Sequence, residues 1–228
     1  GGHRMIAKWL FQTVAWIVAL ALLLFVPAGT LHWPAAWVFL GFMVALGLGF
    51  GMWLARRDPA LLAERMRPPI RADQPAADKK LLAAFAAVNL IWFIVIGLDR
   101  RWHLSHMPIA WHVLGLALLI LSSAVIAWVF RENSFAAAVV RLQSERGHHV
   151  ISSGPYAFVR HPMYTGAVLF MVGIGLLLGS WWGTALSLIF IVLFGIRTGI
   201  EENTLTTGLP DYAEYAARVR YRLVPGLW

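Results

Sequence analysis

The stretch GPYAFVRHPMYTG, residues 154–166, brings Tyr156, Arg160, His161, Pro162, Tyr164 and Gly166 together immediately before an apolar run. A proline fits the first turn of a helix, where its missing N–H leaves no bond unmade, so a helix is predicted to start at Pro162. Its neighbours then stand at a helix N-terminus, where free N–H groups and the helix dipole favour an anionic ligand group. A second polar pair, Glu201 and Glu202, follows about forty residues later. The apolar residues between the two groups are interrupted only by LGSWWG, which reads as the turn of a helical hairpin. Two arms of about 16 residues, rising about 1.5 Å per residue, return Glu201 to the membrane depth of Arg160. Arginine and histidine at one end of the hairpin can therefore face glutamate at the other. Such a constellation can hold something zwitterionic, or hold only itself as an interfacial anchor.

Other chemistries find little support. There is no cysteine, which removes disulfides, thiol nucleophiles and thiolate metal sites. His148 and His149 are adjacent and point to different sides of most backbones, and His103 and His106 are expected across the membrane from residue 160, so no metal site is predicted. No nucleophile elbow, phosphate loop or GxGxxG is present, and the GIG at 173–175 reads as close helix packing.

The elements that must position these residues follow from composition. The 228 residues are 60% hydrophobic and 13% charged, with a mean hydropathy of +0.69, far more apolar than a soluble domain. The fold class is all-α, a polytopic integral membrane protein. Continuous apolar runs without strand alternation predict about six transmembrane helices, near 9–28, 35–55, 81–98, 109–130, 163–179 and 182–197. Trp33, Trp37, Trp181 and Trp182 sit at predicted turns, where indole rings favour the headgroup zone. Residues 1–130 are expected to form a four-span region and 131–228 a second region of a two-span hairpin and a C-terminal tail, integrated into one domain.

The net charge of +8 is uneven. The 56–80 connection is strongly basic, and six spans place all but Arg100 and Arg101 of the 19 Lys and Arg residues on its side of the membrane. By the positive-inside rule that side, with both termini, is cytoplasmic. The expected location is a bacterial inner membrane, with attraction to anionic lipid, and no basic domain is left to bind nucleic acid. The opening GGHRM reads as an addition before Met5, which takes His3 out of consideration. The loop RPPIRADQPAADKK reads as the most mobile segment. Gly47 and Gly51, at GxxxG spacing, are expected to pack helices within the chain rather than to report an oligomeric state.

The tail DYAEYAARVRYRLVPGLW has Tyr212, Tyr215 and Val219 at helical spacing and Glu214 four residues before Arg218. A C-terminal amphipathic helix along the membrane fits it and would cap a pocket at the inner ends of the last spans.

The ordered set of GPYAFVRHPMYTG, the glutamate pair and this tail, with RENSF and VISSGPY leading into it, resembles the isoprenylcysteine carboxyl methyltransferase family and its phospholipid-methyltransferase relatives. The resemblance covers roughly residues 130–228. It implies an S-adenosylmethionine-dependent membrane methyltransferase, with the cofactor reached from the cytoplasm and a lipophilic or lipidated acceptor from the membrane. It also implies that Tyr156, Arg160, His161, Pro162, Tyr164, Gly166, Glu201 and Glu202 enclose the cofactor, with Arg160 and Glu201 in catalytic roles. A carboxylate acceptor needs no base; an amine or thiol would need one, for which Glu201 or His161 is available. Two other readings stand beside it. One is a NADPH-dependent reductase of the sterol-reductase type, with Arg218, Arg220 and Arg222 for a 2'-phosphate; the other is a non-enzymatic transporter or assembly factor.

Overall fold

The computed structural model describes residues 2–228, and His3 lies outside the side chains described. Nine helices follow one another among the described residues. Helices α1 (Gly2–Ala28) and α2 (Pro34–Arg57) form an antiparallel pair. The short α3 (Pro59–Arg65) starts on Asp58, whose carboxylate accepts from Leu61 N at 2.9 Å. Then come α4 (Ala76–Trp102), α5 (Ile109–Glu132) and α6 (Pro162–Leu177). The chain ends with α7 (Trp181–Leu186), α8 (Leu188–Gly208) and α9 (Tyr212–Arg218).

Five stretches are long and apolar enough to cross a membrane: 4–28, 34–57, 76–102, 109–132, and 181–208 taken as one. The sixth predicted span is α6, whose 16 residues reach about 24 Å, short of a hydrocarbon core of about 30 Å. Large apolar side chains such as Phe11, Val14, Trp16, Val26 and Val192 face outward, as expected where the solvent is lipid. The interior is filled by Leu24, Phe39, Trp92, Ile96, Leu119 and Phe190, drawn from most of the long helices. Trp92 meets its polar requirement there by donating Nε1–H to Gly183 O at 2.6 Å.

Close approach of helices rests on glycine at two places. A Cβ on Gly115 of α5 would stand 2.3 Å from Leu177 N and 2.7 Å from Gly173 O on α6, so these two helices touch backbone to backbone. A Cβ on Gly51 would overlap the Trp9 ring, and one on Gly47 would meet Thr13 at 2.9 Å, so the GxxxG face joins α1 to α2.

Several expectations are corrected. Trp33, at its turn, is buried against Phe25 instead of being exposed. The basic loop before α4 is pinned by ions: Arg71 pairs with Glu64 at 2.5 Å, and Arg141 reaches across to Asp73 at 2.7 Å. Burial opposes the charge on Glu64, but its bonds to Arg71 and Arg67 outweigh it and hold the carboxyl below the usual carboxylate range. The last span does not end at residue 197. Helix α8 continues to Gly208, because Arg197 is buried and paired with Asp78 of α4 (3.2 Å) rather than exposed at an interface. Glu201 therefore lies one turn beyond Arg197 on the same helix.

Candidate functional site

The hairpin brings the two polar groups together as its geometry predicts. Pro162 opens α6, with His161 as the residue before it. The His161 ring lies 3.7 Å from Glu201 Oε2 through Nδ1 and 3.2 Å from Glu202 Oε1 through Nε2. Tyr164, in the first turn of α6, stacks on His161 with centroids 5.6 Å apart. Its hydroxyl donates to Glu201 Oε2 at 2.5 Å. Arg197 places its guanidinium 5.6 Å from the centre of the Tyr164 ring.

The two glutamates have different surroundings. Glu202 is enclosed by cations: Arg160 Nε donates to Oε1 at 2.6 Å and Arg222 Nε to Oε2 at 3.0 Å. Glu201 is 28% exposed at its side chain, and its Oε1 takes no hydrogen bond among the described residues. It looks into a cavity of about 70 Å³ also lined by Tyr156, His161, Tyr164, Tyr212 and Tyr215.

Arg160 also binds the tail. Its Nη1 donates to Val219 O at 2.9 Å and Arg220 O at 3.0 Å, and more weakly to Ala216 O. A cation there suits the negative end of α9. The backbone joins in, with Arg160 N donating to Tyr221 O and His161 N to Arg222 O, each at 2.9 Å. Thr165 Oγ1 completes the strap by donating to Leu223 O at 2.7 Å. The apolar side of α9 consequently turns inward: Tyr212, Tyr215 and Val219 pack on Leu142, Val150 and Leu205 rather than along a membrane surface.

Tyr156 stands on the other wall, its hydroxyl accepting from Asn133 Nδ2 at 2.7 Å and its carbonyl accepting from Tyr215 Oη at 2.8 Å. Burial raises the Tyr156 phenol above its usual range, so it is a neutral hydrogen-bonding group. Of the eight residues expected to enclose a cofactor, Pro162, Gly166 and Glu202 do not line the cavity. Gly166 packs α6 on α5, its carbonyl accepting from Ser122 Oγ at 2.6 Å, where a Cβ would come within 3.1 Å of Ile126.

Sequence reasoning missed part of the wall. Segment 133–151, irregular apart from one 3-10 turn, supplies Phe135, Val139, Arg141 and His148. That segment is held from below by buried charge. Arg65 donates to Ala136 O and Arg197 to Ala138 O, while Asp78 accepts from Val140 N. A lone arginine inside an apolar helix was the signal available for Arg197, since such residues are nearly always paired. Tyr212 is the other omission: its hydroxyl is buried at the cavity with no hydrogen-bond partner. Such a group calls for a ligand or water. Of the arginines offered to a 2'-phosphate, Arg222 is engaged by Glu202 and by the Trp228 ring.

Burial would lower the His161 pKa, but the hydrogen bonds and charges of Glu201 and Glu202 outweigh it and raise the pKa above the usual value near 6.5. A raised folded-state pKa contributes stability that is complete below the unfolded value and is lost as pH rises through the folded one. Thermal melts of wild type and His161→Gln should therefore differ most below about pH 6.5 and converge on the alkaline side. A constant difference across that range would refute this pairing.

Comparison with known proteins agrees with the geometry. Residues 110–209 match the model of the phospholipid methyltransferase family. The chain is 32% identical over 78 residues to a cobalt-zinc-cadmium resistance protein, CzcN, of Cupriavidus metallidurans, covering 34% of this chain and 36% of that one. It is 34% identical over 83 residues to the protein-S-isoprenylcysteine O-methyltransferase of Schizosaccharomyces pombe, covering 36% and 35%. The chain thus spans about a third of the length of each of these curated relatives. The matched residues run through α5, α6 and α8 and include Tyr156, Arg160, Tyr164 and both glutamates, so over this stretch the chain is similar to the phospholipid methyltransferase family.

Proposed function

We propose that this protein is an S-adenosylmethionine-dependent methyltransferase acting on a lipophilic acceptor, with isoprenylcysteine carboxyl O-methylation as the nearest named activity. The observation that carries the reading is the cavity beside His161. In one place it combines an unengaged carboxylate oxygen of Glu201, a wall of tyrosines and an unpartnered buried hydroxyl on Tyr212.

These residues fit the cofactor's chemistry. The carboxylate of Glu201 suits its amino group, the unpartnered Tyr212 hydroxyl can donate to its carboxylate, and the aromatic faces suit its sulfonium. The cofactor would supply an already activated methyl group. The size fits only after movement, since about 70 Å³ is well below the roughly 300–1,000 Å³ of small-molecule sites. The covering pieces are segment 133–151 and α9.

The chain's own residues then have separable tasks. Arg160 and Glu202 act as positioning residues that fasten the tail over the cavity, and Glu201 contacts the cofactor or a polar acceptor group. With a carboxylate acceptor no proton has to move; with an amine or thiol, Glu201 Oε1 is the oxygen placed to take one. Excluding water and aligning the reactants supply the remaining rate enhancement. The acceptor reaches the site from the lipid between helices, and the basic residues on that side support a cytoplasmic orientation.

Calorimetric titration of the purified protein with S-adenosylmethionine and with its demethylated product tests the reading. Saturable binding of both is expected. Binding of NADPH in their place would overturn it in favour of a reductase, and binding of none of the three would leave a non-enzymatic role.

A further inference from the structure

A second and larger cavity, about 550 Å³, lies at the opposite end of the bundle, where α4 ends, α5 begins and α6 gives way to α7. It is separate from the glutamate site. Helix α6 runs from Pro162 beside Glu201 to Leu177 on this cavity, and its 16 residues span about 24 Å. No group held here reaches the roughly 3 Å needed for methyl transfer at the other end.

The cavity has two unlike parts. Its walls are apolar, with Trp33 and Val38 from the α2 side, Leu116 from α5 and Leu178 beyond α6. Val38 is 49% exposed, Val113 61% and Ile109 77%. All three line the cavity, so its mouth opens sideways between α2 and α5 onto the lipid-facing surface. The polar part is at the bundle end, formed by Asp99, Arg100, His103, Ser105, His112 and Ser180.

The hydrogen bonds at that end show what it would accept. Asp99 is already satisfied: it takes bonds from Ser105 N at 2.9 Å, Ser105 Oγ at 2.7 Å and Ser180 Oγ. It fixes the two loops and leaves little capacity to bind a cation. His112 Nδ1 is bonded to Leu177 O at 2.8 Å; a carbonyl can only accept, so Nδ1 carries a proton. Arg100 donates one Nη to His32 O at 3.1 Å. Its Nε is buried with no partner, and it makes no ion pair among the described residues. A guanidinium N–H out of water and unpaired is unfavourable, and it calls for an acceptor in the space beside it.

We infer that this cavity is a binding site for a single-chain amphiphile with an anionic head. Arg100, aided by His103, receives the carboxylate or phosphate, and the chain lies in the apolar part with its end towards the mouth between α2 and α5. A cavity of about 550 Å³ falls within the roughly 300–1,000 Å³ of small-molecule sites, enough for one acyl or isoprenyl chain. The ligand is drawn from the bilayer leaflet on the face opposite the glutamates. This inference does not rest on the methyltransferase reading.

Photolabelling of the detergent-purified chain with a diazirine derivative of palmitate tests it. Saturable labelling is expected on peptides covering 99–116. Lysophosphatidate and unlabelled palmitate should compete, and hexadecanol should not; the stronger of the two competitors identifies the head as phosphate or carboxylate. Arg100→Gln should reduce labelling about 10-fold, the low end for losing a hydrogen bond to a charged group. Val113→Trp, at an exposed position on the mouth, should block it without disturbing the core. Labelling spread over all lipid-facing helices, equal competition by the alcohol, or labelling unchanged in the Val113 variant would overturn the assignment. S-adenosylmethionine binding should be unchanged in the Val113 variant, so this test and that of the glutamate site fail separately.

Discussion

Replacing Asp78 with alanine is expected to lower folding stability by about 3–5 kcal/mol, the range for removing one partner of a buried ion pair. Asp78 is fully buried and joins three parts of the chain. It meets Arg197 Nε of α8 at 3.2 Å, Gln74 Nε2 at 2.6 Å and Val140 N at 3.0 Å. The variant leaves the Arg197 charge uncompensated and frees the segment that walls the smaller cavity. A fall in thermal midpoint of roughly 10 °C is expected on the scale of chains this size. Asp211→Asn, at an exposed position, should stay within about 0.5 kcal/mol. The double variant Asp78→Leu with Arg197→Met should recover much of the loss, because an apolar pair removes the desolvation penalty along with the attraction. An unchanged midpoint in Asp78→Ala would show that this pair does not hold the segment.

The adjacent glutamates should respond differently to the same substitution. Glu201→Gln removes the charge that faces the cavity but keeps a group able to accept from Tyr164. Losing a charged hydrogen bond to a ligand is worth about 1.5–3 kcal/mol, so S-adenosylmethionine affinity should fall about 10- to 100-fold with little change in melting. Glu202→Gln removes the partner of Arg160, His161 and Arg222. It should loosen the tail, seen as faster amide exchange over 212–223, with a lower melting temperature and a secondary loss of affinity. Equal effects of the two substitutions on exchange and on affinity would contradict the division of labour. Arg160→Lys separates charge from geometry: it keeps the cation but cannot reach Glu202 and three carbonyls together, so tail exchange should rise in it too.

Much of this was legible from residue types. The lengths of the apolar runs determine that the chain crosses a membrane, because a backbone in lipid has to satisfy itself within helices. Pro162 determines where α6 begins, and the shortness of LGSWWG returns Glu201 to Arg160. Both are local effects, and local effects are written in neighbouring residues. The extent of α8 was misread for the opposite reason. Arg197, Glu201 and Glu202 look like the charged end of a span, yet two of their partners, Asp78 and Arg160, lie 119 and 42 residues away.

By itself, then, the sequence determined the membrane class, the hairpin and the meeting of Arg160 and His161 with the glutamate pair, since each follows from hydrophobic length, proline and turn chemistry. Only the tertiary structure decided that Glu202 is enclosed by cations while Glu201 faces a cavity, that Tyr212 is left with an unpartnered hydroxyl, and that a second cavity ends at Arg100. Those outcomes depend on which polar atoms find partners across distant helices, and pairing of that kind is set by packing in three dimensions rather than by spacing along the chain.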